Sequence, residues 1–449
     1  MMNPKKIFAG KKITLMGLGT LGRGIGDAQF LARAGADLTV TDVKTAAQLK
    51  TSLVKLKRYK NIKYVLGEHR LADFSGKDMI LKGAGMPLHS PFLTEARKHR
   101  IPIETDESLF AQYTEGTIIG VTGTRGKTTT TNLIYEILKK AGKTVYLAGN
   151  IKGMATLPLV TKVKKGDYVV MELASWQLQG LQEIRLSPHI AVFTNFTPDH
   201  LNYYQGDMDL YYTDKTYIFS NQKKGDYLVA DEVIARKIKH THGKKLQGRL
   251  VITSAKQTPK TWKTKLLGEH NRANIALAVA VAKILKIKPA VVKKAIEKFP
   301  GVPGRLELVR ELKGVKYYND TTATTPHGVM AGLKALGAGK KRNIVLIGGG
   351  TDKVLEYDEL VKTMAPYIKA AVLFKGSATE KIKQLISKSK RVPYQVAEAV
   401  SMKEAFELAC GFAKRGDIVL LSPGAASFGI FLNEFDRGDQ FVKLVKKLK

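Results

Sequence analysis

The chain has 449 residues, 44% hydrophobic and 8% aromatic, too long for one ordinary core and too apolar for a disordered protein. Lys and Arg number 74 against 39 Asp and Glu, a formal charge of +35, and the one cysteine, Cys410, excludes an intramolecular disulfide framework and a Cys-based zinc site. No apolar run approaches the roughly 18 residues of a membrane span, so no membrane insertion is expected. The basic start leads from Met1 into a strand-like segment rather than a signal-peptide core, and a cytoplasmic setting is expected.

Short apolar strands alternate with helical stretches, the pattern of parallel-sheet α/β domains. Strands are predicted over residues 12–16, 37–41 and 78–82, then 117–121, 144–148, 168–172 and 190–195, and last 316–319, 343–347, 370–374 and 417–421. Helices are predicted over 128–140 and over the Ala-rich 271–285. Strand-to-glycine turns follow Met16, Val121 and Ile347, each the start of a nucleotide-binding type of unit. With boundaries near 113–116 and 300–304, three α/β domains are expected. They are a Rossmann-like domain over 1–113, a central P-loop ATPase domain with a mainly parallel sheet over 114–302, and a second Rossmann-like domain over 303–449. The positive excess is spread over all three, without the block of like charge that marks a nucleic-acid arm. The densest stretch, 236–265, has Trp262 as its one interleaved tryptophan. A lysine-rich solvated surface is the simpler reading, although a basic nucleic-acid-dependent ATPase remains an alternative on composition alone.

The sharpest feature is Gly120-Val121-Thr122-Gly123-Thr124-Arg125-Gly126-Lys127-Thr128-Thr129, between an apolar strand and a helix. Glycines let backbone N–H groups curl round phosphate oxygens, and the helix N-terminus adds its positive dipole end. Lys127 is then expected to reach the β/γ-phosphates, and the Thr128 hydroxyl to ligate Mg²⁺. Val121 stands where strict Walker spacing needs Gly, so the loop is a variant. The turn Gly17-Leu18-Gly19-Thr20-Leu21-Gly22 also follows a strand and precedes a helix, with Asp42 about twenty residues on. Any anionic nucleotide, a UDP-sugar included, suits that geometry. Glu172 ends one strand and His200 follows another, where α/β sheets bind ligands, and both are candidate Mg²⁺ or phosphate partners. Lys215 by itself reads as a surface lysine.

Taken in order, these motifs resemble the Mur ligases, ATP-dependent amide-forming enzymes of peptidoglycan precursor synthesis. The match runs through the two glycine turns, Gly149-Asn150-Ile151, residues 172–177, 195–200, Lys215, 268–274, 303–307, 319–325 and 348–353, and closes with 421–428 and 433–439. The resemblance implies ATP, Mg²⁺ at two sites, and no nucleic-acid partner. The small-molecule substrates it implies are UDP-N-acetylmuramoyl-L-alanine and glutamate, D-glutamate being expected, joined through an acyl phosphate by a monomer. Related alternatives are addition of L-glutamate and a folylpolyglutamate synthetase-type ligase.

Carried over residue by residue, Lys127, Glu172, His200 and Lys215 are the catalytic set. Thr128 and Glu172 fall to one metal, and His200 with Lys215, carbamylated in this family, to a second. ATP contacts fall on Gly123, Thr124, Arg125, Gly126, Lys127, Thr128, Thr129, Asn271, Asn274, Arg305 and Asp320. Gly19, Thr20, Leu21, Asp42, Asn150, Ser175 and Gln177 fall on the UDP-sugar side, and Thr322, Thr324, Lys353, Ser427 and Phe435 in the amino-acid pocket. Three positions depart from the family pattern: Thr322 stands for a lysine, Ala174 for a serine and Gly304 for a frequent histidine.

Overall fold

The apolar runs that follow one another at α/β spacing form strands of three separate sheets. The computed structural model describes every residue except 1–2, 84–85, 88, 202, 338–341, 390–393 and 428, so Met1 and Phe428, quoted above, lie outside the described residues. In the first sheet β1 (Lys12–Met16), β2 (Asp37–Asp42), β3 (Ile62–Leu66), β4 (Met79–Lys82) and β5 (Ile103–Glu104) are all parallel, in the order β3-β2-β1-β4-β5. The second is also parallel throughout. It holds β6 (Thr117–Thr122), β7 (Val145–Gly149), β8 (Tyr168–Glu172), β9 (Ile190–Phe193), β10 (Tyr227–Asp231) and β11 (Arg249–Thr253), in the order β11-β10-β9-β6-β8-β7.

The third sheet contains β12 (Glu307–Leu312), β13 (Val315–Asn319), β14 (Ile344–Gly349), β15 (Ile368–Phe374), β16 (Gln395–Ala399) and β17 (Ile418–Leu421), ordered β12-β13-β17-β14-β15-β16. Its one antiparallel pair is the β12–β13 hairpin. That hairpin turns on Lys313 and Gly314, both at positive φ (50° and 76°), the twist that a two-residue hairpin turn requires.

Every predicted strand is present within a residue or two. Six strands are additional: β3, β5, β10, β11, β12 and β16. Five of these are sheet edges. An edge strand is half solvated and carries polar residues, as in Glu-Leu-Val-Arg-Glu-Leu of β12, so it lacks the continuous apolar run of a central strand.

The chain divides into two compact units. The first comprises Met1–Phe196, Met208–Ser254 and Leu277–Ala295 and carries the first two sheets; the second comprises Thr197–Asp207, Ala255–Ala276 and Ile296–Lys449 and carries the third. In each, aliphatic residues of the strands pack beneath helices, for example Ile13, Leu15 and Val40 in the first unit and Leu346, Leu373 and Leu420 in the second, all 2% exposed or less. The glycine turns and strand ends that carry the candidate residues stand at the carboxyl ends of these buried strands.

Candidate active site

In the first unit the phosphate loop leaves β6 through Gly123, at φ 141°, and enters the helix Lys127–Lys140 through Gly126, at φ 81°. A Cβ on Gly123 would overlap the Thr194 hydroxyl and lie 3.0 Å from Asn195 N, so only glycine fits. The segment after β9 holds the loop: Asn195 O accepts the Thr124 N–H (2.9 Å), Asn195 Oδ1 accepts the Arg125 N–H (2.9 Å), and Asn195 Nδ2 donates to Arg125 O (3.0 Å). Two ammonium groups meet on one carbonyl. Lys127 Nζ donates to Gly123 O at 3.0 Å and to Thr124 O at 3.1 Å, and Lys215 Nζ donates to Gly123 O at 2.9 Å. Lys215, on the helix Met208–Ser220, is 1% exposed, with its ammonium 4.6 Å from the Tyr211 ring centre, so it is not the surface lysine that its local sequence suggests. A helix N-terminus with the Lys127 ammonium beside it is a binding place for polyphosphate.

Glu172 ends β8, the strand beside β6, and is buried. Its Oε1 accepts from Asn150 Nδ2 at 3.4 Å, while its Oε2 is buried with no hydrogen-bond partner among the described residues. An orphaned carboxylate oxygen beside a phosphate loop fits a divalent cation. Among the described residues no three His, Cys, Asp or Glu side chains converge as a ready metal cage. A cation here would complete its shell from phosphate oxygens and water, the habit of Mg²⁺.

The first glycine turn lies in the same unit. Gly17, Gly19 and Gly22 all have positive φ. Asp42 Oδ2 accepts the Gly19 N–H at 2.8 Å and Oδ1 the Lys44 N–H at 2.9 Å, so this carboxylate shapes the turn. Thr20 and Leu21 are exposed at its tip. Gln177 is committed at both ends, Oε1 to the Ala174 N–H (2.7 Å) and Nε2 to Glu107. Ser175 Oγ, by contrast, is buried without a partner among the described residues. Burial, with Asp106 alongside, pushes the Glu107 carboxyl well above the usual range, and burial does the same to Asp27. Burial also pushes the Lys82 ammonium down to about 8.

In the second unit Asp199 is the hub of a small charged cluster. Its Oδ1 accepts the His200 N–H at 2.9 Å and lies 3.8 Å from Lys353 Nζ, which donates to Thr324 Oγ1 at 3.1 Å. Three of the non-glycine residues with left-handed backbone in this unit fall at or beside candidate residues: His200 itself (φ 56°), Leu306 beside Arg305 (φ 45°) and Val354 beside Lys353 (φ 60°). A β-branched residue at positive φ is strained, and such strain collects at functional sites. Asp320 accepts from the Leu306 N–H (3.1 Å) and Ser422 Oγ (2.9 Å), and Asn271 and Asn274 hydrogen-bond to each other at 3.1 Å. Thr322 and Gly304, two of the departures, are joined: Thr322 Oγ1 donates to Gly304 O at 3.0 Å. Ser427 is buried in a crevice with Gly349, Gly350 and Phe431, and Phe435 lies in the first turn of the last helix, Glu434–Lys447.

Residues 121–282 match the family model of the Mur ligase middle domain, and residues 304–424 that of the Mur ligase glutamate ligase domain. The chain is 38% identical to the UDP-N-acetylmuramoylalanine–D-glutamate ligase of Roseiflexus sp. (strain RS-1), over 98% of this chain and 99% of that protein. The chain belongs to the Mur ligase family. The enzyme of the same name from Borreliella burgdorferi (strain B31) is 34% identical to this Mur ligase over 97% of both chains. The crystal structure of UDP-N-acetylmuramate-alanine ligase MurC from Thermotoga maritima, 20% identical, shares its fold, with a TM-score of 0.63 over 98% of this chain and 100% of that one. As a Mur ligase the protein is an ATP-dependent ligase of peptidoglycan precursor synthesis.

Glu107, Asp199 and Arg437 take no individual role from the sequence, although Asp199 and Arg437 fall inside the matched stretches 195–200 and 433–439. Asp199 adjoins His200 in sequence, which was a usable signal. Arg437 is fully buried and donates to Thr321 O at 2.8 Å, and burial pushes its guanidinium down to about 10; nothing local in the sequence announces that.

Proposed function

We propose that this Mur ligase joins glutamate to UDP-N-acetylmuramoyl-L-alanine. The relatives' activity supports the substrates, and the observation that carries the chemistry is the Lys127 ammonium held on the phosphate-loop carbonyls of Gly123 and Thr124, with a buried oxygen of Glu172 in the same sheet that has no hydrogen-bond partner among the described residues. ATP phosphorylates the alanyl carboxylate, the glutamate amine attacks the acyl phosphate, and phosphate leaves. Lys127, freed from the loop carbonyls, follows the charge of the transferring phosphoryl group. The N–H groups of residues 123–129 hold the other phosphates. Thr128 and Glu172 would hold Mg²⁺, which would offset the negative charge of the ATP phosphates.

Lys215, as a carbamate, and His200 are assigned to a second Mg²⁺; a buried lysine at a metal site is intelligible once its cation becomes a carboxylate. In the second unit, ATP contacts are assigned to Asn271, Asn274, Arg305 and Asp320. The glutamate contacts assigned there are Thr322, Thr324, Lys353, Ser427 and Phe435. On the sugar-nucleotide side stand Gly19, Thr20, Leu21, Asn150, Ser175 and Gln177, with Asp42 shaping the turn. The three domains, 1–113, 114–302 and 303–449, then take the UDP-sugar, ATP and glutamate in that order, in a cytoplasmic monomer. The positive field of the chain suits three anionic substrates.

D-glutamate is the expected enantiomer. A second reading, L-glutamate, draws on Thr322, whose hydroxyl is turned to Gly304 O and offers no cation to a substrate carboxylate. The test is phosphate release from purified protein with ATP, UDP-N-acetylmuramoyl-L-alanine and each enantiomer. Turnover that requires both the sugar nucleotide and D-glutamate supports the proposal. Turnover with L-glutamate alone favours the second reading, and turnover stimulated by nucleic acid or a folate substrate would overturn both.

A further inference from the structure

Arg23 is absent from every role assigned above, yet it stands immediately after Gly22 and reaches into the central sheet. Its Nη2 donates to Gly149 O at 2.8 Å and lies 3.4 Å from Asn150 Oδ1, and its Nη1 lies 3.3 Å from Glu107 Oε1. Glu107 in turn accepts from Gln177 Nε2. One guanidinium therefore connects the glycine turn at 17–22, the Gly149-Asn150 corner and, through Glu107, the amide of Gln177. These are the three segments that supply the sugar-nucleotide side.

The connection sets orientations. An amide side chain has a donor end and an acceptor end, and neighbours decide which points where. Arg23 takes the acceptor end of Asn150, which leaves Asn150 Nδ2 facing Glu172 Oε1. Glu107 takes the donor end of Gln177 and leaves Oε1 to cap the Ala174 N–H. The charge balance points the same way. Three carboxyls, Asp27, Asp106 and Glu107, are buried round this one guanidinium, at 3%, 4% and 1% exposure. Arg23 opposes the upward push that burial gives Asp27 and Glu107, and a guanidinium fixed on Gly149 O, Asn150 Oδ1 and Glu107 Oε1 has little freedom to turn.

We propose that Arg23 is a positioning residue for the sugar nucleotide, acting through Asn150 directly and through Glu107 on Gln177. This rests on the assignment of the UDP-sugar to these segments. The experiment is steady-state kinetics on Arg23→Met, Arg23→Lys and Glu107→Gln in the full-length protein, titrating UDP-N-acetylmuramoyl-L-alanine and ATP separately. Arg23→Met is expected to raise the KM for the sugar nucleotide about tenfold or more with the KM for ATP within about twofold, as loss of uniform binding to one substrate requires. Arg23→Lys, which keeps the charge without the fork, is expected to fall between Met and wild type, and Glu107→Gln to give a smaller rise than Arg23→Met. A lower Tm with both KM values unchanged, or an equal rise in both, would overturn the proposal. If Arg23→Met fails to fold, the same split in Arg23→Lys decides. Asn150→Ala and Gln177→Ala test the underlying assignment: a sugar-nucleotide KM unchanged in both would sink the site itself, whatever Arg23 does.

Discussion

Gly149 is the position where one added methyl group should do the most damage to the site. It ends β7, pairs with Glu172 of β8, and has φ 85°. A Cβ there would overlap the Glu172 carbonyl oxygen and stand 2.9 Å from its carbon and 3.0 Å from Glu172 N, backbone atoms that cannot turn aside. Left-handed backbone costs a non-glycine residue about 1–2 kcal/mol, and forcing two strands apart to relieve the overlap costs about 1–3 kcal/mol more. Gly149→Ala is therefore expected to destabilise by about 2–5 kcal/mol, which lowers Tm by roughly 5–15 °C for a unit of this size. The movement also displaces the Glu172 carboxylate, the Asn150 N–H that binds Glu172 O at 2.7 Å and the Arg23 contact, so activity should fall more than stability alone explains. Scanning calorimetry beside phosphate release measures both. Gly142→Ala is the control, since φ there is 73° with nothing within 4 Å of the added Cβ, and it should cost only the conformational share, about 1–2 kcal/mol. The reasoning is refuted if Gly149→Ala and Gly142→Ala melt together and turn over alike.

Other outcomes follow from the same networks. Lys127→Ala should lower kcat by about 10²–10³ if its ammonium meets charge that develops in the transition state; near-normal turnover would remove that role. Lys215→Ala should lose activity that short carboxylic acids in the buffer partly restore, and intact mass of the wild type should show the carbamate; a variant equally dead with and without those acids argues against it. The folded state holds a proton on Asp27 more tightly than the unfolded chain does, because burial and Asp106 raise its pKa. Stability from this site is therefore lost as pH rises from the unfolded value near about 4 through the raised folded value. Asp27→Asn should accordingly gain Tm over wild type at pH 8, with the gain shrinking towards pH 4; a difference independent of pH would contradict this.

The phosphate loop, the first glycine turn and the strands beneath them were legible in the sequence because each depends on local rules. Apolar runs become buried strands, glycines permit positive φ, and a Lys-Thr pair opens a helix over the loop. Edge strands such as β12 and β16 were not legible, since their burial is set by a neighbour rather than by their own residues. What only the tertiary structure decided is which groups share a space. Lys215 reaches Gly123 O across 92 residues of chain, and Arg23 reaches Gly149 across 126. Asp42, read from spacing as a nucleotide contact, is seen to accept two backbone N–H groups, Gly19 of the first glycine turn and Lys44 of the turn after its own strand. A residue's type and its neighbours in sequence fix what chemistry it can offer. Its partner, its burial and hence its charge state come from packing between segments distant in the chain, and no local pattern encodes those.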